Sequence, residues 1–532
     1  MEKRVLLAAV LSGIVVIIWF SLFAPKPPST ANGPAPAATA AAGEVGTPAG
    51  AAAPASPEAA TPQVPAGPVV AAEAGEDKTP VELAGDGWRA TLNPAGGVIS
   101  SLVVEGYRDD AGGPLDLVRA GATPPLAVAA PGPWNEALYK VAQVGGAVQM
   151  RWSDGAGNWV EKKVSAGKGK YAVEVEVRAG GAPARAGVVI ATGIEKALKV
   201  DQQGRFGAES AVVRVDGKID RVLAAKLDGV RSLRGAIDFA GVEDQYFLLA
   251  LLPTDQVSEV RISRSGTGAT ALPEVAVVGA GGTVAGTLYA GAKEHTILVG
   301  YGRGLVETLS FGIFGFLSVG FLAALRWIYG WVGNWGVAII VLTAAIRILL
   351  FPLNHKSVVS MKRMQALQPK MKAIQERYKD RAKKDPNVRT RMNQEVMQMY
   401  KEEGVNPMGG CLPMLVQLPI LWALYSLFAY AIELRQAPFV FWIHDLAAKD
   451  PTYITPILMT ASMVLQQRMA PQTGDPAQRR MFMLMPFIFG FMFMSFPAGL
   501  VLYWLVNNLF TIGQQLLTER MMTASAASAQ PK

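Results

Sequence analysis

Apolar and polar positions alternate along this chain in three different rhythms. Val5 to Phe23 is a run of nineteen residues without a charge, and at about 1.5 Å per residue such a helix nearly crosses a ~30 Å hydrocarbon core. Lys3 and Arg4 precede it, which places the N-terminus in the cytoplasm and sends the chain outward. A cleaved signal peptide has a shorter apolar region, about 7 to 15 residues, so 1–23 is expected to be an uncleaved anchor. From 24 to 80 the residues are mostly Ala, Pro, Gly, Thr and Glu. That composition cannot bury enough apolar surface to offset ordering entropy and predicts a disordered tether.

Residues 81–305 carry a period of two. Val173, Val175 and Val177 alternate with Glu174, Glu176 and Arg178, the pattern of half-buried strands. Asp216-Gly217 lies between apolar flanks and predicts a hairpin, because its turn needs positive φ. The expectation is a β-sandwich domain.

Long apolar runs take over after Ser310. Ser310 to Leu325 is apolar, and so is Asn334 to Leu353 apart from Arg347. Residues 356–404 then hold two amphipathic stretches, Met364, Leu367, Met371, Ile374 and Tyr378, then Val388, Met392, Val396 and Met399, separated by Asp385-Pro386. They predict a charged helical hairpin. Cys411 to Ile432, Tyr453 to Met469 and Met481 to Leu517 follow, the last split by Phe496-Pro497-Ala498-Gly499. Residues 356–403 carry 13 Lys+Arg against 6 Asp+Glu, so this short loop belongs in the cytoplasm. With the β domain outside, only one of the first two runs crosses. Residues 306–333 are therefore expected to lie along the interface as an amphipathic helix, with Phe311, Phe314, Leu317 and Phe321 near one face and Trp327, Tyr329, Trp331 and Trp335 as an aromatic belt. Residues 334–355 form span two, 405–520 hold spans three to six, and 521–532 are a short tail. Both termini are cytoplasmic.

Composition agrees. Only 17% of the 532 residues are charged and 51% are hydrophobic, against roughly 25% charged in an average soluble domain. Residues 1–80 hold 4 Lys+Arg against 6 Asp+Glu, 81–305 hold 24 of each, and 306–532 hold 22 against 12. The net charge of +8 therefore originates in the membrane-rich part. One cysteine, Cys411, and three separated histidines, His295, His355 and His444, exclude an internal disulfide framework and argue against a metal centre or triad. No His-Glu-x-x-His, Gly-x-Ser-x-Gly or Walker sequence occurs, which argues against an intramembrane protease or an ATP-driven pump. The β domain lacks a clustered carboxylate pair, so it is not expected to be an enzyme.

Arg347 is the residue that stands out. A charge held in hydrocarbon costs at least about 2.5 kcal/mol, so it is expected to meet water, backbone carbonyls or a ligand unless it snorkels to the nearby interface. Thr343 lies one helical turn before it. With Gln417, Gln466, Gln467, Asn507, Asn508, Gln514 and Gln515 it would line a polar groove holding one fixed cation, or else serve ordinary interhelical hydrogen bonds.

Several stretches resemble a known family: Val332-Gly333-Asn334-Trp335-Gly336 leading to Arg347; Leu367-Gln368-Pro369-Lys370; Asn406-Pro407-Met408-Gly409-Gly410-Cys411-Leu412-Pro413; Leu434-Arg435-Gln436-Ala437-Pro438-Phe439; and Phe496-Pro497-Ala498-Gly499-Leu500-Val501-Leu502-Tyr503-Trp504. Asp244-Gln245-Tyr246-Phe247 and Tyr289-Ala290-Gly291 extend the likeness more weakly. The chain resembles the YidC/Oxa-type membrane protein insertases of Gram-negative form. The resemblance implies a multi-pass α-helical protein of the bacterial inner membrane with six spans, a periplasmic β-sandwich of supersandwich type related to sugar mutarotases, and a cytoplasmic helical hairpin. It implies an insertase and chaperone for nascent membrane proteins, working alone or with the Sec translocon (SecYEG, SecDF), the ribosome and membrane lipids, without cofactor or small-molecule substrate. Arg347 then matches the groove arginine and Thr343 the threonine on its helix. Trp504, beside Tyr503, takes an aromatic position that contacts substrates. The hairpin, with Lys356, Lys362, Arg363, Lys370 and Lys372, matches the region tied to insertion and ribosome engagement. The competing expectation is a secondary transporter binding an anion at Arg347, against which stands the lack of an evident internal repeat.

Overall fold

The computed structural model describes residues 71–109, 111–194, 209–267, 271–382, 385–405, 412–469 and 476–528. The expected anchor, most of the expected tether and the stretch Asn406 to Cys411 lie outside the described residues.

Among the described residues seventeen strands run from Val81 to Ala292. β1 (Val81–Gly85), β2 (Trp88–Asn93), β3 (Val98–Arg108) and β4 (Pro114–Asp116) form one antiparallel sheet. The others are β5 (Lys140–Val144), β6 (Ala147–Ser153), β7 (Trp159–Ala166), β8 (Ala172–Gly180), β9 (Val188–Thr192), β10 (Ser210–Val215), β11 (Lys218–Leu223), β12 (Arg231–Leu233), β13 (Ile237–Glu243), β14 (Phe247–Pro253), β15 (Val257–Ser265), β16 (Leu272–Gly279) and β17 (Thr283–Ala292). They form a nine-stranded sheet of order β11-β10-β13-β14-β17-β8-β7-β6-β5 and a third sheet of order β12-β15-β16-β9. The period-two expectation holds residue by residue: in β8, Val173, Val175 and Val177 are buried while Glu174 and Glu176 are only half-buried. Asp216 and Gly217, with φ of 50° and 74°, turn β10 into β11 as the left-handed turn requires. β14 is buried at every position, Phe247 to Pro253, because both its faces are covered.

Eight long helices follow among the described residues: α1 (Gly315–Val332), α2 (Trp335–Ala366), α3 (Gln368–Ala382), α4 (Pro386–Glu402), α5 (Leu412–Tyr430), α6 (Ile454–Met469), α7 (Pro476–Phe493) and α8 (Ala498–Ser528). Of these, α1 and α2 are long and apolar enough to cross a membrane. The face that α1 buries is Ser318, Leu322, Leu325 and Ile328; of the four residues expected near one face, Phe311 and Phe314 precede the helix, which starts at Gly315. Small residues allow the close contact, since Ser318 Oγ donates to Ala423 O of α5 at 2.9 Å and meets Ser426 Oγ at 3.0 Å. Phe316, Trp327 and Trp331 remain exposed, and Tyr329 stacks on Trp335 at 4.2 Å.

Asn334 caps α2, its side chain accepting from Val337 N at 3.0 Å. The helix runs on past the expected boundary at 355 to Ala366, because nothing between Leu353 and Leu367 breaks it and Pro352 is accommodated inside the helix. Asp385 and Pro386 start α4 as expected, Asp385 accepting from Asn387 N at 2.8 Å. α3 and α4 close on a small core of Leu367, Ile374, Met399, Tyr400 and Val405. Lys370 to Glu403 at 2.5 Å and Arg377 to Glu395 at 3.1 Å fix their antiparallel register. Asp450 holds the start of α6 by accepting from Thr452 N and Oγ1 and from Thr455 N and Oγ1, at 2.6 to 2.8 Å. Burial alone would raise its carboxyl, but these bonds outweigh burial and bring it to about 2. Residues 494–497 separate α7 from α8 where the sequence expected the split.

Candidate functional site

Arg347 projects from α2, a helix otherwise free of charge from Trp335 to Leu353, toward α8. Its Nε donates to Asn507 Oδ1 at 2.6 Å, and Tyr503 of α8 lies within electrostatic reach. Among the described residues Arg347 takes part in no ion pair. One turn further along, Gln417 Nε2 of α5 donates to Tyr503 Oη at 2.7 Å. Arg347, Asn507 and Gln417 are half-buried, whereas Tyr503 is buried. Three helices thus converge on a partly open polar patch inside an apolar bundle, holding one cation whose charge no carboxylate among the described residues cancels. Such a patch can hold water and attract anionic groups.

The other expected residues stand elsewhere. Thr343 is 1% exposed and donates to Ile339 O at 2.7 Å within its own helix, the back-bonding habit of threonine. Asn508 is buried and its Nδ2 donates to Ser462 Oγ of α6 at 3.0 Å. It ties α8 to α6 while its neighbour Asn507 serves Arg347. Adjacent helical positions point about 100° apart, so the doublet alone indicated that both could not face one groove. Trp504 lies against Phe493 at 5.1 Å and Phe489 at 6.3 Å, on the α7 side.

The polar seam between α2 and α8 extends beyond Arg347. Gln514 Nε2 donates to Phe351 O at 3.3 Å, His355 Nδ1 lies 3.3 Å from Thr518 Oγ1, and Lys362 pairs with Glu519 at 2.9 Å. The spacing of 507, 514 and 518 on α8 against 347, 351 and 355 on α2 was the available signal, and it becomes readable only once the two helices are known to be neighbours. Of the basic residues expected to make contacts around the hairpin, Lys362 and Lys370 are ion-paired within the chain, while Lys356, Arg363 and Lys372 are exposed. No cluster of His, Cys, Asp and Glu able to hold a metal occurs among the described residues.

Comparison with known proteins agrees with this architecture. Residues 327–525 match the family described as 60Kd inner membrane protein, and residues 80–323 match the YidC periplasmic domain. A membrane protein insertase YidC of Syntrophus aciditrophicus is 34% identical over 560 aligned positions, covering 97% of this chain and 99% of that one. One of Geobacter metallireducens is 35% identical, covering 99% and 100%. A solved structure described as an active YidC insertase with its first transmembrane domain resolved is 18% identical, with a TM-score of 0.36 over 85% of this chain and 95% of that one. The family is one of inner-membrane proteins with a periplasmic domain, and these relatives do not favour a transporter. The chain belongs to the YidC family of membrane protein insertases.

Proposed function

We propose that this insertase receives the polar flank of a nascent membrane segment in the patch between α2, α5 and α8. Arg347 attracts acidic residues of the flank, while Gln417, Tyr503 and Asn507 supply hydrogen bonds that replace water. A hydrated patch part-way through the bilayer shortens the apolar barrier, and a fixed cation lowers it further for an acidic flank. Transfer of the client's apolar helix to lipid, worth roughly 25 cal/mol per Å² of apolar surface, then drives release. No step calls for covalent chemistry or nucleotide hydrolysis. The observation that carries this reading is the uncancelled guanidinium of Arg347 held by Asn507.

In this reading the chain crosses the membrane six times with both termini in the cytoplasm. α1 lies along the periplasmic interface and α2 crosses. The α3–α4 pair stands in the cytoplasm, where Lys356, Arg363 and Lys372 meet ribosomal RNA or anionic lipid heads. The chain works alone or beside the Sec translocon. The burial of Thr343 supports a packing role for it, and the position of Trp504 supports contact with client segments passing on the α7 side.

Photocrosslinkers placed at Gln417 and Trp504 during translation of a short membrane protein test the proposal. Adducts to the nascent chain are expected. Their absence, together with saturable binding of a small anion that Arg347→Ala abolishes, overturns it in favour of a transporter.

A further inference from the structure

Two motifs that the groove does not use meet at one place. Asp244-Gln245-Tyr246 forms the turn between β13 and β14 and Phe247 opens β14; Asp244 Oδ1 accepts from Tyr246 N at 2.7 Å and Phe247 N at 2.6 Å. This pins a compact turn at the end of the large sheet. Gln245 Nε2 reaches from it to Ala429 O at the last turn of α5, 2.5 Å away. Leu434-Arg435-Gln436, which follows α5, answers from the other side. Arg435 is only 5% exposed. It donates from Nη2 to Arg108 O at the end of β3 at 2.7 Å, and its guanidinium lies 5.4 Å from the Phe247 ring. Asp244 and Asp445 both feel its charge. Gln436 Nε2 donates to the same Arg108 O at 3.1 Å, and Tyr107 meets Phe247 edge-on at 5.4 Å.

A second attachment lies on the approach to α1. Lys293, buried with Glu243 at 2.7 Å, also reaches Thr308 O at 3.5 Å. Arg221 donates to Glu307 O at 2.9 Å and Arg214 pairs with Glu307 at 3.1 Å. The β domain therefore grips the segment entering α1 and the segment leaving α5. Those two helices touch each other through Ser318 and Ser426, and Arg326 of α1 pairs with Glu433 just after α5.

We propose that Arg435 is the central pin of a joint that seats the periplasmic domain on the segment entering α1 and the segment leaving α5, so that the domain and the membrane helices move as one rigid body. The guanidinium suits this task because its planar fork covers the Phe247 ring while donating to a backbone carbonyl. An ammonium can make the bond to Arg108 O but cannot cover the ring as well. Two backbone carbonyls, those of Arg108 and Ala429, accept the bonds, so the joint depends on the path of both segments and not on a single pair of side chains.

The test is the distance distribution between spin labels on Val230→Cys in the β domain and Ile457→Cys on α6. It uses the full chain in lipid nanodiscs on a Cys411→Ser background. The parent is expected to give one narrow distribution. Arg435→Ala with Gln245→Ala is expected to broaden it, and Arg435→Lys to fall between the two. Protection of amides in β14 against hydrogen exchange reports that the domain itself stays folded; if it collapses in the double variant, Arg435→Lys alone supplies the comparison. A broad distribution in the parent, or variants as narrow as the parent, overturns the proposal. This readout is independent of clients, so it can fail while the groove reading stands.

Discussion

Replacing Asn507 by aspartate tests the electrostatic mechanism without touching the arginine. In the present arrangement Arg347 Nε donates to Asn507 Oδ1 at 2.6 Å, a contact to a neutral amide that leaves the full positive charge available. Asn507→Asp keeps the size and the accepting oxygen and puts a carboxylate in the same place. At an effective dielectric of about 20, unit charges ~4 Å apart attract by about 4 kcal/mol, enough to hold the pair ionised and mutually cancelled. An acidic client residue ~7 Å from Arg347 gains about 2 kcal/mol from the lone cation by the same rule, more than tenfold in population. With the new carboxylate beside the guanidinium that gain falls close to zero. The assay is insertion into proteoliposomes of paired clients that differ only in whether the translocated flank is acidic or neutral. Asn507→Asp is expected to lower insertion of the acidic-flank client about tenfold and leave the neutral one near the parent level, as Arg347→Ala should, while Arg347→Lys works nearly normally. Equal loss for both clients would show that Asn507 matters for shape alone, and no loss for either would sink the electrostatic mechanism.

Tyr503→Phe removes the 2.7 Å bond from Gln417 and leaves a polar group short of a partner, so helix association is expected to weaken by about 1 kcal/mol, read as a lower unfolding temperature in detergent. Lys162 of β7 is fully buried, with Nζ 2.8 Å from Gly96 O, and burial pushes its ammonium down to about 7. Between pH 7 and about 10 the unfolded chain holds this proton and the folded chain does not, so stability of the β domain rises with pH by up to about 1.4 kcal/mol per unit. Lys162→Met should flatten that rise, measured by hydrogen exchange of β7 amides; an unchanged pH dependence would show that Lys162 is not its source. For topology, an impermeant thiol reagent added from the periplasmic side should label Gly300→Cys and not Lys356→Cys in the Cys411→Ser background, and the reverse pattern would refute the assignment.

Each element whose cause is local could be read from the residues alone. Strand alternation in β8, the Asp216-Gly217 turn, the Asp385-Pro386 start of α4 and the break ending at Pro497 all follow from side-chain period, φ preference or a missing N–H. Arg347 was equally legible, because a charge in an apolar run is costly wherever the helix packs. What the sequence could not supply is which faces meet. It placed Thr343, Asn507 and Asn508 together, whereas packing turns Asn507 to Arg347, Asn508 to Ser462 and Thr343 into its own helix. It gave no sign that contact with α5 selects the side of α1 with Ser318, which lets the backbones approach. Nor does any period or motif record that Arg435 reaches Arg108, 327 residues away in the chain. Such contacts depend on the relative rotation of helices and on the path of distant loops, and packing sets both after the local elements already exist.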